Sequence, residues 1–203
     1  QALCYGTCRW FHRLHGELNG RLKKPLRKPD RIIHHLMLVA LFQLRFSQQA
    51  TYAVLNETVE ACRALEKPHL TGLVNGVLRA AERDGAPEPA DDSARFSHPV
   101  WMVEKLRHNW PDDWQQILGA NNAQAPMTLR VNALRFGRDE YLGLLKEAGI
   151  EASPTRFAPH GIQLANPVPV DRLPWFADGA VSVQDEAAQL CTTLLDLAPG
   201  QRV

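Results

Sequence analysis

Cysteine is scarce in this chain. Its four cysteines, Cys4, Cys8, Cys62 and Cys191, include no Cys-x-x-Cys pair and are spread over 203 residues. That excludes a disulfide framework and makes a reduced, cytoplasmic protein the expectation. No apolar run approaches the roughly 18 residues that span a bilayer, so no membrane is expected as a partner. No secretory leader is expected, and no internal repeat is visible. No carboxylate pair or nucleophile–base motif stands out. What is present, 45% hydrophobic and 22% charged residues, suits one large or two small globular domains.

A net charge of +1 hides an asymmetry. Residues 1–85 carry 13 Lys+Arg against 7 Asp+Glu, whereas residues 86–203 carry 10 against 15. A basic first half points to a polyanionic partner. The density is greatest at 20–29, Gly-Arg-Leu-Lys-Lys-Pro-Leu-Arg-Lys-Pro. Arg21, Lys23, Lys24, Arg27 and Lys28, with Arg31 just beyond, form a loop that two prolines hold extended. Clustered Lys and Arg bind nucleic-acid phosphates by releasing condensed counterions. A solvated charged turn is the plainer reading. Arg9 and Arg13, one turn apart on the first helix, would extend the patch.

Apolar spacing predicts helices at 2–19, from Asp30 as N-cap through Ile33, Leu36, Met37, Ala40, Leu41 and Leu44, at 49–65, and through Leu70, Leu73, Val74, Val77, Leu78 and Ala81. This is an all-α bundle over residues 1–85. Residues 86–97, within a Pro-, Gly- and Asp-rich stretch, read as a linker. A small α+β domain follows at 98–183. Its expected helices lie near 99–109 and 111–121, with Pro99 and Pro111 in their first turns, and at 138–148, closed by Gly149. Strands are expected at 127–131, 162–165 and 179–183. Residues 184–203 read as a helix to about 196 and a Pro-Gly turn. In Leu195-Asp-Leu-Ala-Pro-Gly200, Gly200 is the only glycine, too few for a cofactor-binding strand and loop.

Several residues carry two readings. Cys4, Cys8 and His12 recur at i, i+4, i+8; core packing is favoured over zinc, which draws thiolates from more than one segment. No metal is expected. His34 and His35 are placed on a helix surface, with His34 able to approach phosphate. Asn75 and Gly76, poor helix formers, suggest close helix packing and an Asn amide bonded to neighbouring backbone. Arg79 is left free for a ligand. Arg130 and Asn132 share one strand face, turned to solvent or to a partner. Asp185 either caps its own helix or, with Gln184, faces a polar ligand; the cap is favoured.

A set of phrases then points to a family. Leu3-Cys4-Tyr5-Gly6 with Arg9, Leu38-Val-Ala-Leu-Phe-Gln-Leu44, Ala53 to Glu60, and Leu73-Val-Asn-Gly-Val-Leu-Arg79 resemble a NusB-like RNA-binding domain. Ser97-His-Pro99 with Trp101, Ala120-Asn-Asn122, Leu129-Arg-Val-Asn132 and Val183-Gln-Asp185 resemble the small domain that precedes the catalytic domain of the RsmB/Fmu/Sun family of 16S rRNA cytosine-5 methyltransferases. Each phrase is short, but they follow family order along nearly the whole chain. Ala188 stands where the family often has serine, so no hydroxyl contact is expected there.

The resemblance implies a NusB-like helical domain, then a pre-catalytic α+β domain, then a lead-in to a Rossmann-like, S-adenosylmethionine-binding domain expected after Val203. Gln1 in place of Met, inside a helical pattern, implies residues missing in front as well. The family attacks the base with a cysteine, and none of the four cysteines here matches its catalytic pair. No catalytic residue is therefore expected in this chain, which alone is expected to be inactive and to bind no cofactor. Its expected partner is small-subunit 16S ribosomal RNA, met by Arg9, Arg21, Lys23, Lys24, Arg27, Lys28, Arg31 and Arg79, with Gln184 and Asp185 near the cofactor pocket of the whole enzyme. A monomer is expected. The alternative is a free-standing NusB-like RNA-binding factor in transcription antitermination or ribosome assembly. A weaker third reading is a protein-interaction scaffold.

Overall fold

The computed structural model describes residues 2–195, 200 and 201. A helical N-terminal part is followed by a small antiparallel sheet domain, as the sequence implies. By contacts the chain forms two compact units, residues 1–123 and 124–203.

The first unit holds α1 (Ala2–Arg9), α2 (Phe11–Arg21), α3 (Arg31–Phe46), α4 (Thr51–Ala64), α5 (Thr71–Asp84), α6 (Asp92–Phe96), α7 (Val100–Asn109) and α8 (Trp114–Asn122). The 3.6-residue spacing on α3 buries Ile33, Met37, Ala40 and Leu41 together with Leu38. They meet Leu14 and Leu18 of α2, Val54 and Leu55 of α4, and Val74, Val77, Leu78 and Ala81 of α5 in one core.

The expected single helix over 2–19 is two helices broken at Trp10, whose backbone leaves the helical region (φ −96°, ψ 17°). There the Trp10 ring stacks on Phe46 with centroids 4.7 Å apart. Asp30 precedes α3, but its side chain caps nothing. Its carboxylate pairs instead with Lys67 at 2.9 Å, which holds it below the usual carboxylate range. Cys4 and Cys8, expected in the core, are exposed. Gly76, expected at a close helix contact, has open space where a side chain would stand. The close contact is at Gly6, where an added Cβ would collide with the outer edge of the Phe42 ring.

The stretch expected as a linker contains α6, capped by Asp91, whose Oδ1 accepts from Ala94 N at 2.8 Å. Ser93 Oγ donates to His98 O at 2.6 Å, and Ser97 Oγ accepts from Arg13 N at 3.4 Å. These bonds and the packing of α6 on α2 place 92–122 with the first compact unit, which ends at residue 123. Pro99 is the N-cap of α7, and Pro111 lies in the turn before α8.

The second unit holds β1 (Thr128–Val131), α9 (Arg138–Glu147), β2 (Ala152–Pro154), β3 (Gly161–Leu164), β4 (Val181–Val183) and α10 (Glu186–Leu194). Among the described residues the strand order is β2-β3-β1-β4, with every neighbour antiparallel. Leu129 faces Ile162 on one side and Val183 on the other. One face of the sheet buries Leu129, Val131, Ile162 and Leu164 against Tyr141 and Leu145 of α9. Tyr141 is fully buried; its hydroxyl donates to Pro174 O at 2.8 Å, and burial pushes its pKa up to about 12. Gly149 closes α9 at φ 70°, as expected. Strand β2 has no counterpart among the expected strands. The expected turn at 197–203 lies, apart from Gly200 and Gln201, outside the described residues.

Candidate nucleic-acid interface

The basic loop is built by what ends α2 and begins α3. Helix α2 stops at Arg21, where Leu22 turns extended and donates its N–H to Leu18 O and Asn19 O. Gly20 and Arg21 are therefore helical, and the loop proper runs from Leu22 to a 3-10 turn at Lys28–Asp30 that contains Pro29.

Both ends are clamped. At the front, Arg21 donates to Gly85 O at 2.6 Å and pairs with Glu17 and Asp84, each at 3.4 Å. Glu17 is nearly buried, its side chain 4% exposed, and also receives Arg45 at 2.5 and 3.3 Å; Arg45 reaches Ala81 O at 2.9 Å besides. At the rear, the Asp30–Lys67 pair ties the loop to the end of α4. Between the clamps, Leu22 and Leu26 rest on the core.

What remains outward is cationic. Lys23, Lys24, Arg27, Lys28 and Arg31 are exposed and make no ion pair among the described residues. Of the residues expected to meet a polyanion, Arg21 is the exception: its guanidinium is spent on the clamp. Arg9, in the last turn of α1, is exposed and shares no hydrogen bond or ion pair with the loop among the described residues. Arg79 lies on α5, where its Nε donates to Asn75 Oδ1 at 3.1 Å. That bond, within one helix, replaces the backbone contact expected of Asn75.

Cavities flank the loop. One of about 560 Å³ lies between Lys23 and Lys24 on one side and Gly72, Leu73 and Gly76 of α5 on the other. Another, of about 570 Å³, lies toward α2 and α3 and is lined by His15, His34, His35 and Arg31. Burial, then the neighbouring His15 and His35, lower the pKa of His34. Across α4 and α5, a groove of about 530 Å³ takes in Tyr52, Asn56, Asn75 and Arg79.

The motif residues beyond the loop are structural. His98 is buried, with Nδ1 bonded to Phe96 O at 2.6 Å and Nε2 meeting the Asn121 amide at 2.7 Å. Asn122 Nδ2 donates to the same Phe96 O at 2.5 Å. So the Ser97-His-Pro99 and Asn121-Asn122 phrases lock α6 to α8. His12 is held below its ordinary pKa by burial first, then by His98 and His15, against the opposing pull of Asp91. In the second unit, Asn132 bridges Gly179 O (3.0 Å) and Leu134 N (3.1 Å), which fixes a turn.

Asp185 caps α10 by accepting from Ala187 N at 2.8 Å. Gln184 Oε1 accepts from Arg130 at 3.5 Å, and its N–H extends the sheet to Thr128 O. Gln189 donates to Leu129 O and Gln184 O. The Glu186 carboxylate accepts the N–H groups of Phe157 and Ala158 at 2.5 and 2.9 Å, and these lower its pKa, that of Ala158 most. No local pattern signals these bonds, which join residues 29 and 28 apart. Among the described residues no group of three or more His, Cys, Asp or Glu is placed to hold a metal ion. No described helix is long and apolar enough to cross a membrane.

Comparison with known proteins places these features. The model of the NusB family matches residues 1–83. The "Methyltr_RsmF/B-like, ferredoxin-like domain" matches residues 98–171. The protein named ribosomal RNA small subunit methyltransferase B of Pseudomonas syringae pv. tomato is 47% identical over all of this chain and 46% of its own length. The chain belongs to the ribosomal RNA small subunit methyltransferase B family. The relative of the same name from Pseudomonas putida is 46% identical, with all of this chain and 48% of that protein covered. The chain thus spans about half the length of the curated family members it matches. The crystal structure of PH0851 shares the fold with a TM-score of 0.72 at 19% identity, over 98% of this chain and 46% of that one. Family membership implies S-adenosylmethionine for the full-length enzymes. The described residues do not fit that molecule: Gln184 and Asp185 are committed to their own helix and strand, and no glycine-rich strand-to-helix turn accompanies them.

Proposed function

We propose that this chain is the RNA-contacting front part of an rRNA cytosine-5 methyltransferase that uses S-adenosylmethionine in its full-length form. Residues 1–85 would bind small-subunit 16S ribosomal RNA, residues 98–183 would orient it, and residues 184–203 would lead to the catalytic domain. The observation that carries the reading is the loop: five unpaired cations displayed between two ion-pair clamps. A merely solvated turn has no need of clamps. The match of 98–171 to a methyltransferase domain supports this reading over a free-standing NusB-like factor.

The contact residues proposed are Lys23, Lys24, Arg27, Lys28 and Arg31, with Arg9 and Arg79 as outlying cations. Arg21 acts by positioning the loop. The chain works in the cytoplasm as a monomer and carries out no methyl transfer by itself.

The test is a salt titration of binding to small-subunit RNA. Each lost phosphate contact reduces the slope of log K against log salt by about 1, so Lys23→Ala with Lys24→Ala reduces it by about 2. An unchanged slope and affinity would remove the loop from the interface. Methylation of unmodified small-subunit RNA by the 203-residue chain would refute the claim of inactivity.

A further inference from the structure

We infer that the cavity between α2, α3 and the basic loop is a receptor for one unpaired base of a bound RNA strand. The inference rests on the proposed RNA reading and adds a site to it.

The cavity measures about 570 Å³, within the range of small-ligand sites. One wall is a ladder of rings. Phe11 stacks on His15 at 5.2 Å between centroids, His15 meets the edge of His34 at 5.1 Å, and His34 meets His35 at 5.9 Å. Leu22, Pro25 and Leu26 from the loop itself also line the cavity. Such a lining of rings and aliphatic groups suits a flat heterocycle, as single-stranded RNA bases stack on Phe and His side chains.

One nitrogen of His15 and one of His34 are already engaged. Asn19 engages Nε2 of both His15 (2.9 Å) and His34 (3.4 Å), fixing the two rings. One N–H and one lone pair of that amide remain for the polar edge of a base. Burial and the adjacent imidazoles keep His34 neutral more readily than a free histidine, which suits stacking. His15 Nδ1 is buried without a partner, so the ring wall holds one unmet polar atom.

Charge selects the occupant. No carboxylate lines the cavity, and Arg31 stands at its edge. The same loop that forms its wall displays Lys23, Lys24, Arg27 and Lys28. A strand whose phosphates follow the loop therefore has a pocket beside it for a base turned out of the stack. An apolar peptide would gain nothing from this cationic rim.

Two measurements on the 203-residue chain test this. A single-stranded oligoribonucleotide carrying one 5-iodouridine is photocrosslinked to the unaltered chain, and the crosslinked peptides are mapped. Crosslinks to Phe11, His15, His34 or His35 are expected; crosslinks confined to other segments overturn the inference. Separately, His34→Ala with His35→Ala is expected to weaken single-strand binding about tenfold while leaving the salt slope and the binding of a fully paired duplex unchanged. Equal binding of the single strand by variant and unaltered chain overturns it. If Lys23→Ala with Lys24→Ala lowers the salt slope while crosslinks avoid the cavity, the base pocket alone fails. If no RNA is bound even at low salt, the RNA reading fails and the pocket with it.

Discussion

Arg45→Met is the substitution expected to damage the helical unit most for its size. Glu17 lies on α2, its side chain 4% exposed, with both carboxylate oxygens on Arg45 of α3. Arg45 also satisfies Ala81 O on α5, so one guanidinium joins three helices. Removing one member of a buried pair leaves an uncompensated charge, at a cost of about 3–5 kcal/mol. Glu17 keeps a longer contact to Arg21 at 3.4 Å, which favours the lower end, about 3 kcal/mol. For a unit of this size that lowers the melting temperature by roughly 10 °C. Replacing both partners, Glu17→Leu with Arg45→Met, removes the stranded charge, so the pair is expected to cost less than Arg45→Met alone. The assay is thermal and urea denaturation of the two single variants, the double variant and the parent. A loss below about 1 kcal/mol for Arg45→Met, or a double variant at least as unstable as that single one, would refute the argument.

Three further outcomes are expected. Tyr141→Phe removes the donor to Pro174 O in a buried setting and lowers stability by about 1–2 kcal/mol, measured by urea denaturation. Gly161→Ala drives a Cβ into Thr155 Oγ1 and crowds Ala158, so it costs about 1–3 kcal/mol and shows as reduced hydrogen-exchange protection in β3. His12 and His34 have folded pKa values below the ordinary 6.5, so the unfolded chain takes up protons that the folded chain holds off. Their contribution is complete above 6.5 and is lost as pH falls below it; melting scans show a decline there, which His12→Gln with His34→Gln flattens.

The parts legible in the sequence are those set by local spacing. The apolar stripe of α3 named four residues that are buried, and Gly149 marked the end of α9. The basic loop stood out from composition alone, since proline and clustered cations leave few other options. What escaped depends on contacts between distant residues. Asp30 looks like a helix cap until Lys67, 37 positions on, claims its carboxylate. Arg21 looks like a ligand for phosphate until Gly85 and Asp84 arrive beside it. Strand β2 is three residues ending in proline, too short for any alternation to show, and it exists because β3 is there to pair with it. The ring wall of the cavity draws on α2 and α3, and no motif links Phe11 to His35 in the sequence.

The order β2-β3-β1-β4 leaves two outer strands, and both are poor templates. Strand β2 finishes at Pro154, which has no N–H to offer a newcomer; β4 spans three residues before the chain turns into α10 at its Asp185 cap. An added chain would find at most one turn of ladder at either border. The small domain can thus be held at high concentration with little tendency to grow by strand addition, a property that suits a module carried in tandem with other domains.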